Sequence, residues 1–507
     1  MLHTREPEKK LPLYFDDISR CRTDGREQKI ALCSLDGTLI TSTYPFAYFM
    51  LLAFESGSLA RAFMLLAAFP VSLLLRFLVS NEAAMQMLVF ITFSGLKAST
   101  VEFLSKAVLA KSYFRDMNPR TLSALVSFGK KYMVTAAPRI MVEPFLKEYL
   151  GVESVVGTEL QVLSNGYCTG LIQSGSLLLS GRRKLEALKN FFETIHVSCP
   201  DAGFGSSDSD YPFMSWCKVK ALVFLEAYKA IQKSEEIVLP SSAQERIKPL
   251  VFHDGRLAVL PTPAMALAIF LWTPLAIVLA LLRILVPHTP YSVMLPLAAL
   301  LGIKLRIKGS FPPKDPAAPG KLLFATSHRT LLDPVVLSGV LGRKVTAVTY
   351  SISRLSELLS SIKTVRLSRN RASDSQTMRR LLSSEDVVVC PEGTTCREPY
   401  LLRFSPLFAE VSDNIVPVGM YAEMGLFYGT TARGWKWMDP FFFCMNVQPS
   451  YTLEFLEALP DERTCGRGKR TSVEVANYVQ EELARASGLK PTALTRKDKY
   501  QFLTFVQ

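Results

Sequence analysis

Four short apolar runs in the second half of this 507-residue chain constrain its fold more than any other feature. Each run ends in a polar or charged stretch, which is typical of buried strands bounded by turns. The runs are Lys321–Thr326, Val345–Tyr350, Val387–Cys390 and Ile415–Gly419. The stretches that follow them are therefore expected in strand-end turns, where reactive side chains can be exposed.

His328 and Asp333 lie in the stretch Ser327–Asp333, which follows the first run. A carboxylate at this spacing can orient an imidazole ring, and an imidazole held in this way can act as a general base near neutral pH. The pair would then activate an alcohol or a water. The alternative is a histidine satisfied by an ordinary turn, and the spacing taken alone favours that alternative.

Cations are concentrated after the second run. Their grouping in one short loop before Leu381 suits a phosphate, and the four residues are Lys363, Arg366, Arg369 and Arg371. The third run then leads into Pro391–Thr395, a turn that contains a carboxylate and a glycine. These stretches favour catalytic or binding residues at the strand ends.

In this order and spacing, the stretches resemble the four motifs of the glycerolipid acyltransferase family. His328 and Asp333 match its H-x4-D motif, and Arg369 matches its arginine motif. Pro391–Thr394 match its P-E-G-T motif, and Ile415–Gly419 match its final V-P motif. The resemblance implies an acyltransferase domain of the αβ type.

The resemblance covers about residues 300–460, and two positions differ from the usual family pattern. Ser327 stands where the first motif usually begins with Asn, and Thr395 stands where the third usually continues with Arg or Lys. We expect Arg397 or Arg403 to supply the missing charge.

The resemblance also implies a role for each matched residue. His328 would take the proton from a hydroxyl of glycerol 3-phosphate while Asp333 orients the ring, and acyl-CoA would be the donor. Arg369 would pair with the acceptor's phosphate, because a guanidinium fork fits a phosphate best. The other substrate-binding candidates are Glu392, Gly393 and Thr394 for the glycerol end, and Lys363 and Arg366 for the CoA end.

Residues 29–40 form an apolar run that predicts a strand ending in a turn with Ser34 and Asp36. This run, and the chain to about residue 225, resembles the haloacid-dehalogenase family of phosphatases. In that family the turn reads D-x-D-G-T-L, whose first Asp is the nucleophile and whose second is the acid/base. Ser34 therefore stands at the nucleophile position and Asp36 at the acid/base position.

The same resemblance locates the other parts of the phosphatase pattern. Thr135 matches the phosphate-holding threonine, and Lys184 matches the lysine that steadies the nucleophile. Ser206 replaces the first Asp of the G-D-x-x-x-D motif, for which Asp208 is only a partial substitute. Since phosphoryl transfer needs the nucleophile and the magnesium ion, we expect a retained fold without its chemistry, and no metal or cofactor.

The two regions, in this order, resemble the glycerol-3-phosphate acyltransferases of land plants. The resemblance implies an α/β fold of two domains, one Rossmann-like with a helical cap and one of the acyltransferase type, joined through a hydrophobic membrane-associated helical segment. The expected parts are an extension (1–28), the haloacid-dehalogenase-like domain (29–230, with its cap at about 45–110), a linker (231–260), the hydrophobic segment (261–303), the acyltransferase domain (304–460) and a basic helical tail (461–507).

Composition favours a membrane-associated enzyme, because hydrophobic residues make up 49% of the chain. The net charge of +13 favours a lipid bilayer and anionic substrates as partners, since no zinc-ligand spacing or RNP-like aromatic pattern indicates nucleic acid. The nine cysteines form no C-x-x-C pair, which indicates a reduced compartment. The amino terminus shows no signal or transit peptide, so membrane insertion would depend on internal segments. The expected location is the endoplasmic reticulum membrane, with the mitochondrial membrane as the alternative.

Two segments are candidates for membrane contact. Leu59–Val79 is mostly apolar, but Arg61, Pro70 and Arg76 divide it. We therefore predict a cap lying in the membrane interface or, with equal weight, a buried cap core. The segment 261–303 is predicted to form one span or a re-entrant pair.

The basic tail has a predicted helix at Ser472–Ala486, interpreted as a solvated amphipathic helix without a chemical role. Two other functions remain open for the whole chain. Ser34 and Ser206 argue against a lipid phosphate phosphatase or a bifunctional enzyme. The intact acyltransferase motifs argue against a non-catalytic membrane scaffold, and the oligomeric state and the acylated hydroxyl are left open.

Overall fold

The structure is a computed structural model that describes residues 16–18, 21, 24–177, 181–197, 199–217, 219–222, 245–312, 321–350 and 354–504. It divides into two compact units, Met1–Pro249 and Leu250–Gln507. Most of the predicted extension and residues 223–244, which include much of the predicted linker, lie outside the described residues.

The first unit is built on a six-stranded parallel sheet with the order β1-β8-β7-β2-β3-β4. β5 and β6 form a separate antiparallel pair. Because the carboxyl ends of parallel strands lie at one edge, the residues after β2, β3 and β7 meet there. The strands are β1 Asp16–Asp17, β2 Ile30–Ser34, β3 Lys130–Pro138, β4 Ser154–Thr158, β5 Leu160–Val162, β6 Cys168–Ile172, β7 Ala202–Gly205 and β8 Val219–Leu222.

Helices α1 to α6 and one π-helical turn lie between β2 and β3, and the predicted cap at about 45–110 covers α1 to α4 and the π-helical turn. The helices of this unit are α1 Phe46–Glu55, α2 Leu59–Leu78, α3 Asn81–Phe93, α4 Ala98–Leu104, α5 Ala110–Asp116, α6 Pro119–Val126, α7 Arg139–Leu150, α8 Gly181–Thr194 and α9 Tyr211–Trp216, with the π-helix Ser105–Leu109.

Helix α2 carries an exposed apolar surface, while α1 is buried along most of its length. Phe77 is 82% exposed and Leu78 is 79% exposed. Arg61, Pro70 and Arg76 interrupt the apolar sequence, but the helix itself is continuous through Pro70. The Arg61 guanidinium instead donates hydrogen bonds to carbonyls at the end of α3, such as that of Thr92 at 2.7 Å.

The second unit is built on a seven-stranded sheet with the order β12-β11-β13-β10-β15-β16-β9. Only the β15–β16 pair is antiparallel in this sheet. The central strand β10 lies between β13 and β15, so the three strands that carry motifs are neighbours. The strands are β9 Lys304–Lys308, β10 Leu323–Thr326, β11 Thr346–Thr349, β12 Thr364–Arg366, β13 Val387–Val389, β15 Ile415–Glu423 and β16 Ser450–Phe455, and β14 Tyr400–Leu401 pairs with β17 Lys490–Pro491.

The second unit also contains helices, and some of them form the predicted hydrophobic segment. They are α10 Pro263–Leu285, α11 Tyr291–Leu300, α12 Asp333–Leu341, α13 Arg354–Leu358, α14 Arg371–Leu382, α15 Leu407–Val411, α16 Asp439–Cys444, α17 Ser472–Ser487 and α18 Arg496–Thr504. Short 3-10 turns occur at Val286–His288, Lys436–Met438 and Asp461–Arg463.

Helix α10 presents an apolar face to the outside. Leu267, Leu271, Leu275 and Val278 follow the helical repeat and are each at least half exposed. The opposite side is fixed by buried Arg283, whose guanidinium donates to four backbone carbonyls. By length and composition, α2 and Pro263–His288 are both long and apolar enough to cross a membrane.

Helix α17 is part of the core of the second unit. Val475, Val479 and Leu483 recur on one face, and all three are buried in the same cluster as Val387 of β13. The interpretation of the Ser472–Ala486 helix as solvated is therefore wrong for this face.

Candidate active site

The register of the sheet brings the first and third acyltransferase motifs together. Ala325 of β10 pairs with Val389 of β13. His328 lies three residues after Ala325, and Cys390 directly follows Val389, so both side chains emerge at the same edge. The backbone N–H of Cys396 also donates to the His328 carbonyl at 3.0 Å, which ties the two turns to each other.

Asp333 orients the His328 ring. Its Oδ2 lies 2.9 Å from His328 Nδ1, and its oxygens also accept bonds from the backbone N–H groups of Arg329 (2.6 Å) and Thr330 (3.0 Å) and from the Tyr451 hydroxyl (3.1 Å). These hydrogen bonds fix the carboxylate in one position. A carboxylate partner holds the proton of the neutral ring on Nδ1, so Nε2 keeps its lone pair and can act as a base.

The surroundings of His328 raise its pKa well above the usual range. Burial lowers the pKa, but the Cys390 sulfur and the hydrogen bond to Asp333 raise it by more. The side chain is still 15% exposed, so solvent or a substrate can reach it. The ring must lose its proton before it can serve as a general base.

We expect kcat/KM for acyl transfer to rise with pH through a pKa above 6.5, the ordinary value for histidine. The reason is that only the neutral ring accepts a proton. A pH–rate profile measures this limb, and Asp333→Asn should move it to lower pH because the carboxylate's contribution is removed. A wild-type limb at or below 6.5 would contradict the expectation.

Glu392 joins the two motif turns from behind the site. Its Oε1 accepts the His328 backbone N–H at 2.7 Å, and its Oε2 accepts the Leu402 backbone N–H at 2.9 Å. Burial raises the pKa of this carboxyl, and the Arg329 guanidinium opposes the rise. The structure thus gives Glu392 a positioning contact, whereas its predicted contact with glycerol stays a prediction.

Glu392→Gln is expected to lower the free energy of unfolding by about 1–3 kcal/mol, because its amide NH₂ would meet a buried N–H. Thermal melting measures the loss, and Glu457→Gln, at an exposed position, is the matched control. An unchanged melting temperature in Glu392→Gln would show that these two hydrogen bonds contribute little.

Two residues of the site were missed from the sequence. Arg329 is buried, and its guanidinium donates to the carbonyls of Cys396, Glu398 and Tyr400. Its place within the H-x4-D stretch was a signal that it has a structural partner. Tyr451 lies in β16, outside every motif, and the sequence gives no signal for its contact with Asp333.

A cavity of about 570 Å³ opens at His328. Cys390, Gly393 and Thr394 from the third motif line it together with His328. Another part of its wall is apolar and comes from α10 and α11, with Leu281, Ile284, Met294 and Ala298. Gly393 has a φ of +65°, which favours glycine in this turn.

The predicted cations do not line this cavity. Lys363 pairs with Glu385, and Arg366 pairs with Glu357 at 3.1 Å. Arg369 is exposed and has an unusual φ of +68°. Its backbone N–H donates to buried Asp374 at 2.9 Å, which holds the turn.

The residues expected to replace a cation at Thr395 also lie elsewhere. Arg397 pairs with Asp254 at 3.5 Å and stacks on Tyr428. Arg403 is exposed and is absent from the cavity wall. Neither residue lines the cavity, and the expectation that one of them supplies the charge at the site stays a prediction.

Comparison with known proteins assigns the whole chain to a family. The family model "Glycerol-3-phosphate acyltransferase RAM2-like, HAD-like domain" matches residues 30–223, and the family model "Acyltransferase" matches residues 308–421. Glycerol-3-phosphate acyltransferase RAM2 of Petunia hybrida is 46% identical over 92% of this chain and 96% of that protein. The chain belongs to the glycerol-3-phosphate acyltransferase family.

Other members of this family are similarly related. Glycerol-3-phosphate acyltransferase 1 of Arabidopsis thaliana is 43% identical over 93% of this chain and 80% of its own length. Probable glycerol-3-phosphate acyltransferase 3 of the same plant is 40% identical, with 97% and 93% covered. These relatives confirm the predicted family, and the two family models together with the structure confirm the α/β fold of two domains.

Ser34 and Asp36, which match the nucleophile and acid/base positions of the phosphatase pattern, differ in their contacts. The Ser34 hydroxyl is buried and has no hydrogen-bond partner among the described residues. Asp36 accepts bonds from the Thr135 hydroxyl at 3.0 Å and from the Ala136 backbone N–H at 2.7 Å. Burial raises the pKa of Asp36, although Lys184 opposes the rise.

The site of the HAD-like unit does not fit a magnesium ion. Lys184 forms a buried ion pair with Asp210 at 2.8 Å, and Ser206 accepts a hydrogen bond from Thr38 at 3.0 Å. Asp208 is exposed. Within the described part of the chain, no group of three or more His, Cys, Asp or Glu could hold a metal ion.

Proposed function

We propose that this chain transfers a fatty acyl group from acyl-CoA to a hydroxyl of glycerol 3-phosphate, giving lysophosphatidic acid and free CoA. One observation carries the proposal: the His328–Asp333 pair opens into a cavity whose wall includes the apolar helices α10 and α11. The polar part suits the acceptor, and the apolar part suits an acyl chain. The names of the relatives support the same reaction.

The reaction needs one base and no covalent intermediate. His328 Nε2 accepts the proton as the acceptor oxygen attacks the thioester carbonyl, and the CoA thiolate then leaves and takes that proton. Asp333 stabilises the imidazolium formed in between. Because a thioester already has a good leaving group, a positioned base and acceptor suffice.

Purified protein with acyl-CoA and glycerol 3-phosphate is the test of this function. Lysophosphatidic acid formed together with free CoA supports it, and positional analysis of the product identifies the acylated hydroxyl. Binding of both substrates without turnover would support a scaffold instead.

Arg369 is proposed to hold the acceptor's phosphate, as its match to the family motif implies. The backbone of this residue is fixed by Asp374, and among the described residues its guanidinium forms no ion pair. Arg369→Ala should raise KM for glycerol 3-phosphate about tenfold or more, with little change in KM for acyl-CoA. Arg371→Ala, which removes a cation paired with Glu410, is the control, and equal effects on both KM values would reassign Arg369.

The second unit is proposed to lie against a membrane, in the endoplasmic reticulum. The exposed leucines of α10 form a continuous apolar face, and α10 also lines the cavity. An acyl chain at the membrane therefore has an apolar route towards His328. Flotation of the purified protein with vesicles tests the association.

A further inference from the structure

Two elements outside the acyltransferase motifs contribute to the polar wall of the cavity. Lys436 lies in the 3-10 turn Lys436–Met438, and Tyr500 lies in α18 of the carboxyl-terminal tail. Both line the cavity together with His328 and Thr395. Lys436 Nζ donates a hydrogen bond to the Tyr500 hydroxyl, so the two elements meet at this wall.

Lys499, the residue before Tyr500, supports the same wall from behind. It is only 6% exposed, and its Nζ lies 2.6 Å from the Thr395 carbonyl oxygen and 3.4 Å from the hydroxyl oxygens of Thr394 and Thr395. An ammonium group can only donate, so these hydroxyl oxygens act as acceptors. The Thr394 hydroxyl hydrogen-bonds to Tyr500, and the hydroxyl hydrogen of Thr395, which lines the cavity, is left to donate.

The charge at this wall is positive. In the part of the chain that the structure describes, neither Lys436 nor Lys499 forms an ion pair. Two acids of the same region are already paired, Asp254 with Arg397 at 3.5 Å and Asp439, which also lines the cavity, with Arg256 at 2.8 Å.

Buried ammonium groups without a counter-ion are costly. Burial accordingly lowers the pKa of Lys499. Burial also raises the pKa of Tyr500, but the hydrogen bond from Lys436 and the charges of Lys436 and Lys499 lower it by more. A dianion bound here would offset the cost of burying the Lys499 ammonium group.

We propose that Lys436, Tyr500 and the Thr395 hydroxyl, supported by Lys499, bind a phosphate group of a substrate. The inference rests on the proposed acyltransferase function and adds a binding subsite to it. The family usually has Arg or Lys at the position of Thr395, and here an ammonium from α18 contacts Thr395 instead. Both substrates carry phosphate, so the subsite serves either glycerol 3-phosphate or CoA.

Steady-state kinetics with each substrate varied in turn distinguishes the two sources. Lys436→Met and Tyr500→Phe should each raise one KM, about tenfold for the lysine change, with a small effect on kcat. A rise confined to glycerol 3-phosphate assigns the subsite to the acceptor, and a rise confined to acyl-CoA assigns it to the donor. Lys497→Met, at an exposed position of α18, should leave both KM values unchanged.

Either of two results would overturn the subsite: unchanged KM values in both variants, or equal rises in both KM values, as general damage to the cavity would give. Lys499→Arg is the variant for the buried position, because it keeps the charge. It should retain more affinity than Lys499→Met at equal melting temperature.

A second measurement does not depend on turnover. Inorganic phosphate should raise the melting temperature of the wild-type protein relative to chloride at equal ionic strength, and Lys436→Met should remove most of that shift. If the wild-type protein makes no lysophosphatidic acid, the proposed function fails and the phosphate shift still decides the subsite. Equal shifts in wild type and Lys436→Met would overturn it.

Discussion

His328→Ala is expected to reduce acyl transfer by about 10²–10⁴-fold, the usual contribution of a general base. Asp333 cannot replace it, because this carboxylate is already held by its backbone donors and by Tyr451. The backbone N–H of residue 328 remains bound to Glu392 in the variant. The turn should therefore keep its shape, and the loss should appear in kcat.

The control for this experiment is His288→Ala. His288 lines the same cavity but is exposed at the end of the turn after α10, and it has no role in the proposed reaction. Its removal should change the rate little. Near-normal turnover in His328→Ala, with a melting temperature like that of the wild type, would end the assignment of His328 as the base.

The sequence predicted the strands and the reactive pair because both are local. A short apolar run followed by a polar turn identifies β10, and His328 and Asp333 are only five residues apart. The structure adds a hydrogen bond that this spacing does not reveal: Tyr451, from a distant strand, donates to the same carboxylate. Such contacts depend on sheet order, and β16 lies next to β15 through antiparallel pairing.

The tail was interpreted least well, for a related reason. Its many cations predicted a solvated helix, yet Val479 and Leu483 of α17 are buried in the core. Lys499 is buried as well, against Thr394 and Thr395. A lysine is seldom buried, so composition alone could not place this one at the wall of the cavity.

The wild-type protein is expected to stop at lysophosphatidic acid and to release no inorganic phosphate. We propose that the HAD-like unit is a structural platform without phosphatase activity. Ser34 has neither the charge of a carboxylate nor a base beside it. Asp36 is held by Thr135 and Ala136, so it cannot reach the nucleophile's place without movement of the backbone.

The measurement is incubation of purified protein with labelled glycerol 3-phosphate, acyl-CoA and magnesium. Phosphate-free monoacylglycerol that disappears in Asp36→Asn would refute the proposal, since it would show that Asp36 has taken over the chemistry.

The converse experiment tests whether carboxylates at positions 34 and 206 are sufficient to restore phosphatase activity. Ser34→Asp with Ser206→Asp restores both, but Lys184 is bound to Asp210 and Thr135 to Asp36, as the sequence did not show. A metal site would have to draw Asp210 away from its lysine. We therefore expect the double variant to gain little phosphatase activity. Release of phosphate at the rate of acyl transfer would contradict this, because it would show that magnesium can separate Asp210 from Lys184.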